Sequence, residues 1–132
     1  MIHLVTGGSG SGKSAYAEQC ILDFGGTRRV YIATMQPFGA EGQARIARHR
    51  KMRAAKKFST IECYTNLKEV ELEPGSDVLL ECMSNLTANE IFDPSGAGKA
   101  RAEEEILAGV SRLAHQARNL VLVTNEIFSD GY

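Results

Sequence analysis

Three observations predict an α/β fold of the P-loop NTPase, RecA-like type, with a mainly parallel sheet covered by helices on both faces. A phosphate-loop signature, Gly7-Gly8-Ser9-Gly10-Ser11-Gly12-Lys13-Ser14, follows a strand-like run and opens a helix-like one. Short apolar runs alternate with stretches of helical periodicity from one end of the chain to the other. Several apolar runs stop at polar residues, at Thr34, Glu81 and Thr124-Asn125-Glu126, which the topology would gather with the loop on one rim of the sheet.

Each element has its own justification. Met1 to Thr6 reads as the first strand, delivering the chain into the glycines. Ser14 to Phe24 places Ala15, Ala17, Cys20, Ile21 and Phe24 at helical spacing and is stopped by Gly25-Gly26. Val30 to Ala33 is a short buried strand, after which Pro37 and Gly39 open a loop. Glu41 to Lys57 is helical in propensity, with a thin apolar stripe and the cations Arg45, Arg48, Arg50, Lys51, Arg53, Lys56 and Lys57. Ser59 to Cys63 is a weaker strand and Asp77 to Cys82 a strong one. Asn85 to Phe92 forms a short helix, and Asp93 to Lys99, holding Pro94, Gly96 and Gly98, is expected to be a mobile loop. Ala100 to Arg118 is an amphipathic helix with Ile106, Val110, Leu113 and Ala117 on one face, and Leu120 to Thr124 is the last strand.

The bulk composition excludes several functional classes. A chain of 132 residues suits one domain with a core of its own. Fifteen Lys and Arg balance 16 Asp and Glu, for a net charge of −1, so no global field draws the protein to nucleic acid or to an anionic membrane. The basic helix lacks the interleaved aromatic residues of an RNA-binding surface. No apolar run is long enough to span a membrane, and no secretory leader pattern is present. Cys20, Cys63 and Cys82 are odd in number and sit in apolar segments, as expected of buried reduced thiols in the cytoplasm.

The loop residues Gly7 to Ser14 imply the first chemistry. Glycines let backbone N–H groups close around an anionic phosphate, and the following helix adds the positive end of its dipole. Lys13 would reach the β- and γ-phosphates, and the Ser14 hydroxyl would ligate Mg²⁺. Glu81 stands where such proteins place the acid that orients the metal, although a strand-end carboxylate can also cap a following helix. His49 alone reads as a solvated histidine on a basic helix, and His3 and His115 as structural.

Four segments together carry a more specific signal. Val5-Thr6-Gly7-Gly8 with Ser11-Gly12-Lys13-Ser14, Tyr31-Ile32-Ala33-Thr34, Ala44-Arg45-Ile46 followed by His49 and Arg53, and Leu79-Leu80-Glu81-Cys82 with Val121-Leu122-Val123-Thr124-Asn125-Glu126 occur in that order. In this pattern the chain resembles the bifunctional adenosylcobinamide kinase / adenosylcobinamide-phosphate guanylyltransferase family of cobalamin biosynthesis. The resemblance implies two activities with ATP and GTP as nucleotide substrates. A nucleoside triphosphate phosphorylates the adenosylcobinamide hydroxyl, and GMP from GTP is then transferred to that phosphate through a guanylylated histidine, whose position is His49. It also implies nucleotide contacts at Ala33, Thr34, Met35, Arg50, Lys51, Met52, Arg53, Glu62 and Glu81, and a homo-oligomer, a trimer. Met52 stands where the family pattern has glycine. The resemblance further implies relatives continuing roughly 40 to 60 residues past Tyr132, so that 1–132 would be one nucleotide-binding domain lacking the C-terminal part of the family chain. Two alternatives share the phosphate loop: another small-molecule kinase in which His49 is incidental, and a nucleotide-binding fragment without catalysis.

Overall fold

The computed structural model describes residues 2–7, 12–36 and 39–125, the side chains of Arg45 and Asn125 excepted. Five strands form one sheet: β1 (Ile2–Gly7), β2 (Arg28–Ala33), β3 (Phe58–Glu62), β4 (Ser76–Glu81) and β5 (Asn119–Asn125). Their order is β1-β5-β4-β2-β3, and every pairing is parallel. Parallel neighbours need crossovers, which the chain supplies with α1 (Lys13–Asp23), α2 (Gly39–Ala55), α3 (Met83–Phe92) and α4 (Ala102–Gln116).

Alternating strand residues divide the interior into two layers. Tyr31, Leu79, Val121 and Val123 face Ala17 and Ile21 of α1 on one side, with Phe58 joining them from β3. Ile32, Val78, Leu80, Leu120 and Leu122 face Leu86 of α3 and Ile106 and Leu113 of α4 on the other. The α/β expectation therefore holds, with helices on both faces. Asp77, fully buried opposite Asn119, accepts hydrogen bonds from Asn119 Nδ2 at 3.0 Å and Arg118 Nε at 3.2 Å, tying β4 to β5 at the end of the sheet remote from the phosphate loop.

The elements differ in places from what periodicity predicts. Strands β2, β3 and β4 begin one or two residues earlier than expected, because parallel partners extend the ladder past the apolar run. Helix α2 runs unbroken through Met52, a residue with good helix propensity. A single 3₁₀ turn at Leu67–Glu69, which apolar periodicity did not reveal, drops Leu67 into the core against α4. The largest correction concerns residues 93 to 99. The fully buried Glu90 carboxylate accepts Ala97 N–H and Asn66 N–H at 2.9 Å each, and Gly98 N–H donates to the Glu90 carbonyl at 2.8 Å. Instead of moving freely, the segment is anchored, because a buried carboxylate held by backbone donors loses several bonds at once if it detaches.

Cys63 and Cys82 are buried and in no disulfide, as expected, whereas Cys20 is only half-buried. Burial raises the Cys63 thiol from 9.0 to about 11, helped by the nearby Glu90 and Glu69 carboxylates.

Candidate functional site

The C-terminal ends of the strands form one rim. Register places Gly7 beside Asn125, Thr6 beside Thr124, Glu81 beside Val123, and Ala33 between Glu81 and Glu62. Glu126 and the loop residues Gly8, Ser9, Gly10 and Ser11 lie outside the described residues. Gly12 immediately precedes α1 with φ of +80°, the left-handed region that favours glycine, and Lys13 starts the helix. Both Lys13 and Ser14 thus occupy the helix's first turn, where N–H groups and dipole favour an anion.

Ser14 Oγ donates to Glu81 Oε2 at 2.5 Å. Glu81 does not serve as the cap of the following helix. The N-cap of α3 is Cys82, whose sulfur accepts from Asn85 N–H at 3.4 Å, so Glu81 is left to face the phosphate-loop serine. The pair offers a hydroxyl and a carboxylate oxygen converging on one point, the hard donor chemistry that suits Mg²⁺. Among the described residues no cluster of three or more His, Cys, Asp and Glu is gathered for a metal.

Thr34 is fully buried, and it grips the end of β4. Its hydroxyl accepts from Cys82 N–H at 2.8 Å and points its proton toward the Cys82 and Glu81 carbonyls at 2.9 and 3.1 Å, while its own N–H donates to the Glu81 carbonyl at 3.2 Å. Asn89 Nδ2 donates to the Thr34 carbonyl at 2.7 Å. This side chain is spent on holding the Glu81 backbone in place.

Two adjoining cavities open at this rim. One, of about 370 Å³, is lined by Lys13, Tyr31, Met35, His49, Glu81, Cys82, Asn85 and Val123. The other, of about 200 Å³, is lined by Ser14, Glu18, Tyr31, His49, Met52, Arg53 and Glu81. Tyr31, His49 and Glu81 border both. His49 and Arg53, one turn apart on α2, share the face turned to this cleft.

Arg53 is 6% exposed, and its guanidinium carbon lies 3.6 Å above the centre of the Tyr31 ring. Burial first, then the nearby Glu81 carboxylate, raise the Tyr31 pKa far above the ordinary phenol range, so the hydroxyl keeps its proton.

The remaining candidates point elsewhere. Arg50 pairs with Glu62 of β3, and the two border a separate depression of about 340 Å³ with Ala54, Phe58 and Thr60. Lys56 pairs with Glu18 at 2.6 Å, and Arg48 and Lys51 are exposed. The basic helix is thus divided: one face turns to the cleft, one carries ion pairs, and the rest meets solvent. Tyr31 and Asn85 were not singled out from the sequence. A tyrosine inside an otherwise aliphatic buried strand was the available signal, since its hydroxyl requires a partner.

A parallel α/β sheet whose first strand runs into a phosphate-loop sequence, with an acid from β4 on that sequence's serine, defines a P-loop nucleotide-binding protein. Residues 3–131 match the family model described as cobinamide kinase / cobinamide phosphate guanyltransferase, and the chain belongs to that family. It is 35% identical, over 96% of its length and 76% of the relative's, to the bifunctional adenosylcobalamin biosynthesis protein CobU of Escherichia coli (strain K12). It is 36% identical over the same shares to the CobU protein of Salmonella typhimurium (strain LT2).

Proposed function

We propose that this chain phosphorylates the hydroxyl of an adenosylcobinamide-type corrinoid and then transfers GMP from GTP to the resulting phosphate. In the first reaction the corrinoid hydroxyl oxygen attacks the γ-phosphorus of a nucleoside triphosphate, ATP or GTP. The nucleoside diphosphate leaves and the hydroxyl proton is lost. Lys13 and the N-terminus of α1 hold the phosphates and stabilise charge on the transferred group. Ser14 and Glu81 would hold Mg²⁺, which supplies charge neutralisation at the phosphates. With two protein oxygens in place, the nucleotide's own phosphates and water would complete its coordination.

In the second reaction a neutral ring nitrogen of His49 attacks the α-phosphorus of GTP, forming a P–N bond and releasing pyrophosphate. A phosphate oxygen of the corrinoid then attacks the same phosphorus, the P–N bond breaks, and the guanylylated product leaves with histidine regenerated. Arg53, which borders the same cavity as His49, would meet phosphate charge there. Arg50, Lys51 and Glu62 lie outward of the cleft, where they would meet the part of the nucleotide away from the reacting phosphorus.

The observation that carries this reading is the position of His49 on the wall of the cleft that also holds Lys13 and Glu81. Intact-mass measurement after incubation with GTP tests it. One GMP adduct is expected on the wild-type chain and none on His49→Asn, while the mutant keeps kinase turnover within about threefold, because phosphorylation needs no protein nucleophile. An adduct surviving in His49→Asn would move the nucleophile. Absence of any adduct on the wild-type chain, with kinase activity intact, would favour a kinase in which His49 is incidental. We also propose a homo-oligomer, which sedimentation would reveal, and a cytoplasmic setting, with which three cysteines outside any disulfide accord.

A further inference from the structure

The parallel register places Tyr31 opposite Leu79 and Ala33 opposite Glu81, so Tyr31 and Glu81 are diagonal neighbours on one face of the sheet. Both residues border the two cavities of the rim, with the Tyr31 hydroxyl near the Glu81 carboxylate that accepts from Ser14. The opposite aspect of the same residue supports α2: Arg53 lies flat over its ring at 3.6 Å. Arg53 is almost wholly buried, and its Nε has no hydrogen-bond partner among the described residues, so the aromatic face is what compensates the desolvated cation from below. His49 stands one turn earlier on that helix, and its position follows from where Arg53 is seated. A continuous line of contacts therefore runs from Ser14 through Glu81, Tyr31 and Arg53 to the helix that carries His49.

We infer that Tyr31 is a positioning residue for both half-reactions: its hydroxyl aims the Glu81 carboxylate at Ser14, and its ring seats Arg53 and with it the His49 helix. The inference rests on the kinase and guanylyltransferase reading above and assigns its two halves to separate parts of one side chain. The hydroxyl acts on phosphoryl transfer, where the direction of Glu81 matters. The ring acts on guanylylation, where a displacement of His49 by about 1 Å can cost on the order of a hundredfold in rate.

The two parts can be removed separately in the full chain. Tyr31→Phe keeps the ring. It is expected to lower kinase kcat about tenfold, the scale of one hydrogen bond to a charged group, with KM for nucleotide within about twofold. His49 guanylylation, followed by intact mass, should stay within about twofold of wild type, because the seat of α2 is kept. By calorimetry, the gain in nucleotide affinity from adding Mg²⁺ should shrink in this variant. Tyr31→Leu removes the ring as well and should slow guanylylation more than about tenfold.

Should circular dichroism show Tyr31→Leu unfolded, Tyr31→Met, which fills more of the ring's volume without an aromatic face, tests the seat. An adduct rate at saturating GTP slowed more than about fivefold supports it, whereas a rate within about twofold of wild type in the folded variant overturns it. Wild-type kinase kcat in Tyr31→Phe, or equal loss of both half-reactions in Tyr31→Phe, would also sink the inference. Failure of the wild-type chain itself to form an adduct would instead remove the underlying reading, and the proposed seat for His49 with it.

Discussion

Lys13 separates a role at the phosphates from a place in the hydrophobic core. It belongs to neither hydrophobic cluster, and it borders the cleft in the first turn of α1. Lys13→Ala is therefore expected to cut nucleotide-dependent phosphorylation by more than about a hundredfold, near 3 kcal/mol of transition-state stabilisation, with stability changed by no more than about 0.5 kcal/mol. Steady-state kinetics beside a thermal melt checks both halves, and wild-type turnover in this variant would remove the phosphate-loop mechanism. Gly12 is the opposite kind of residue. Its φ of +80° is a backbone requirement, and Gly12→Ala should cost about 1 kcal/mol or more although a Cβ there meets open space. Chemical denaturation reads that difference directly.

Among the elements, α4 owes its close seat to one missing side chain. A Cβ on Gly109 would come within 2.7 Å of Leu67 Cβ and 3.0 Å of the Lys68 nitrogen, so the helix packs directly on the 3₁₀ turn. Gly109→Val should destabilise the fold by about 2 kcal/mol, since overpacking against backbone outweighs any gain in helix propensity. The denaturation midpoint should fall while nucleotide affinity of the folded protein is unchanged, because this contact lies across the sheet from the cleft. A midpoint equal to wild type would mean that α4 can shift outward at little cost. The anchored segment after α3 follows the same logic of local economy, as Glu90 holds both Asn66 and Ala97 by their N–H groups.

For the whole molecule, pH acts through the buried thiol of Cys63. Its pKa in the fold is raised from 9.0 to about 11, chiefly by burial, so the unfolded chain loses this proton first. The Cys63 contribution should accordingly be lost as pH rises from about 9 to about 11, the sign required when the folded state binds the extra proton, and the raised Tyr31 phenol adds a loss of the same sign above about 10. Urea midpoints measured across that range should show the slope, and Cys63→Ala should flatten it. An unchanged slope in the variant would assign alkaline destabilisation to other groups.

Much of this architecture was legible along the chain. Strand and helix periodicities, the phosphate loop and the acid closing β4 are local patterns, since each depends on residues a few positions apart, and among the described residues the five strands and four helices occur in the expected order, with ends displaced by one or two residues. The family pattern likewise singled out His49 from three histidines. Other features were settled only by tertiary structure, because they join residues brought together by strand order and register. The order β1-β5-β4-β2-β3 puts β4 beside β2, and so sets Tyr31 and Thr34 against the end of β4 from about fifty positions away in sequence. It also sorts the cations of α2, turning Arg53 inward over Tyr31 and leaving Arg50 on Glu62. A run of charges specifies a helix face in sequence; which cation is desolvated, and against what, is decided by the surface the helix meets.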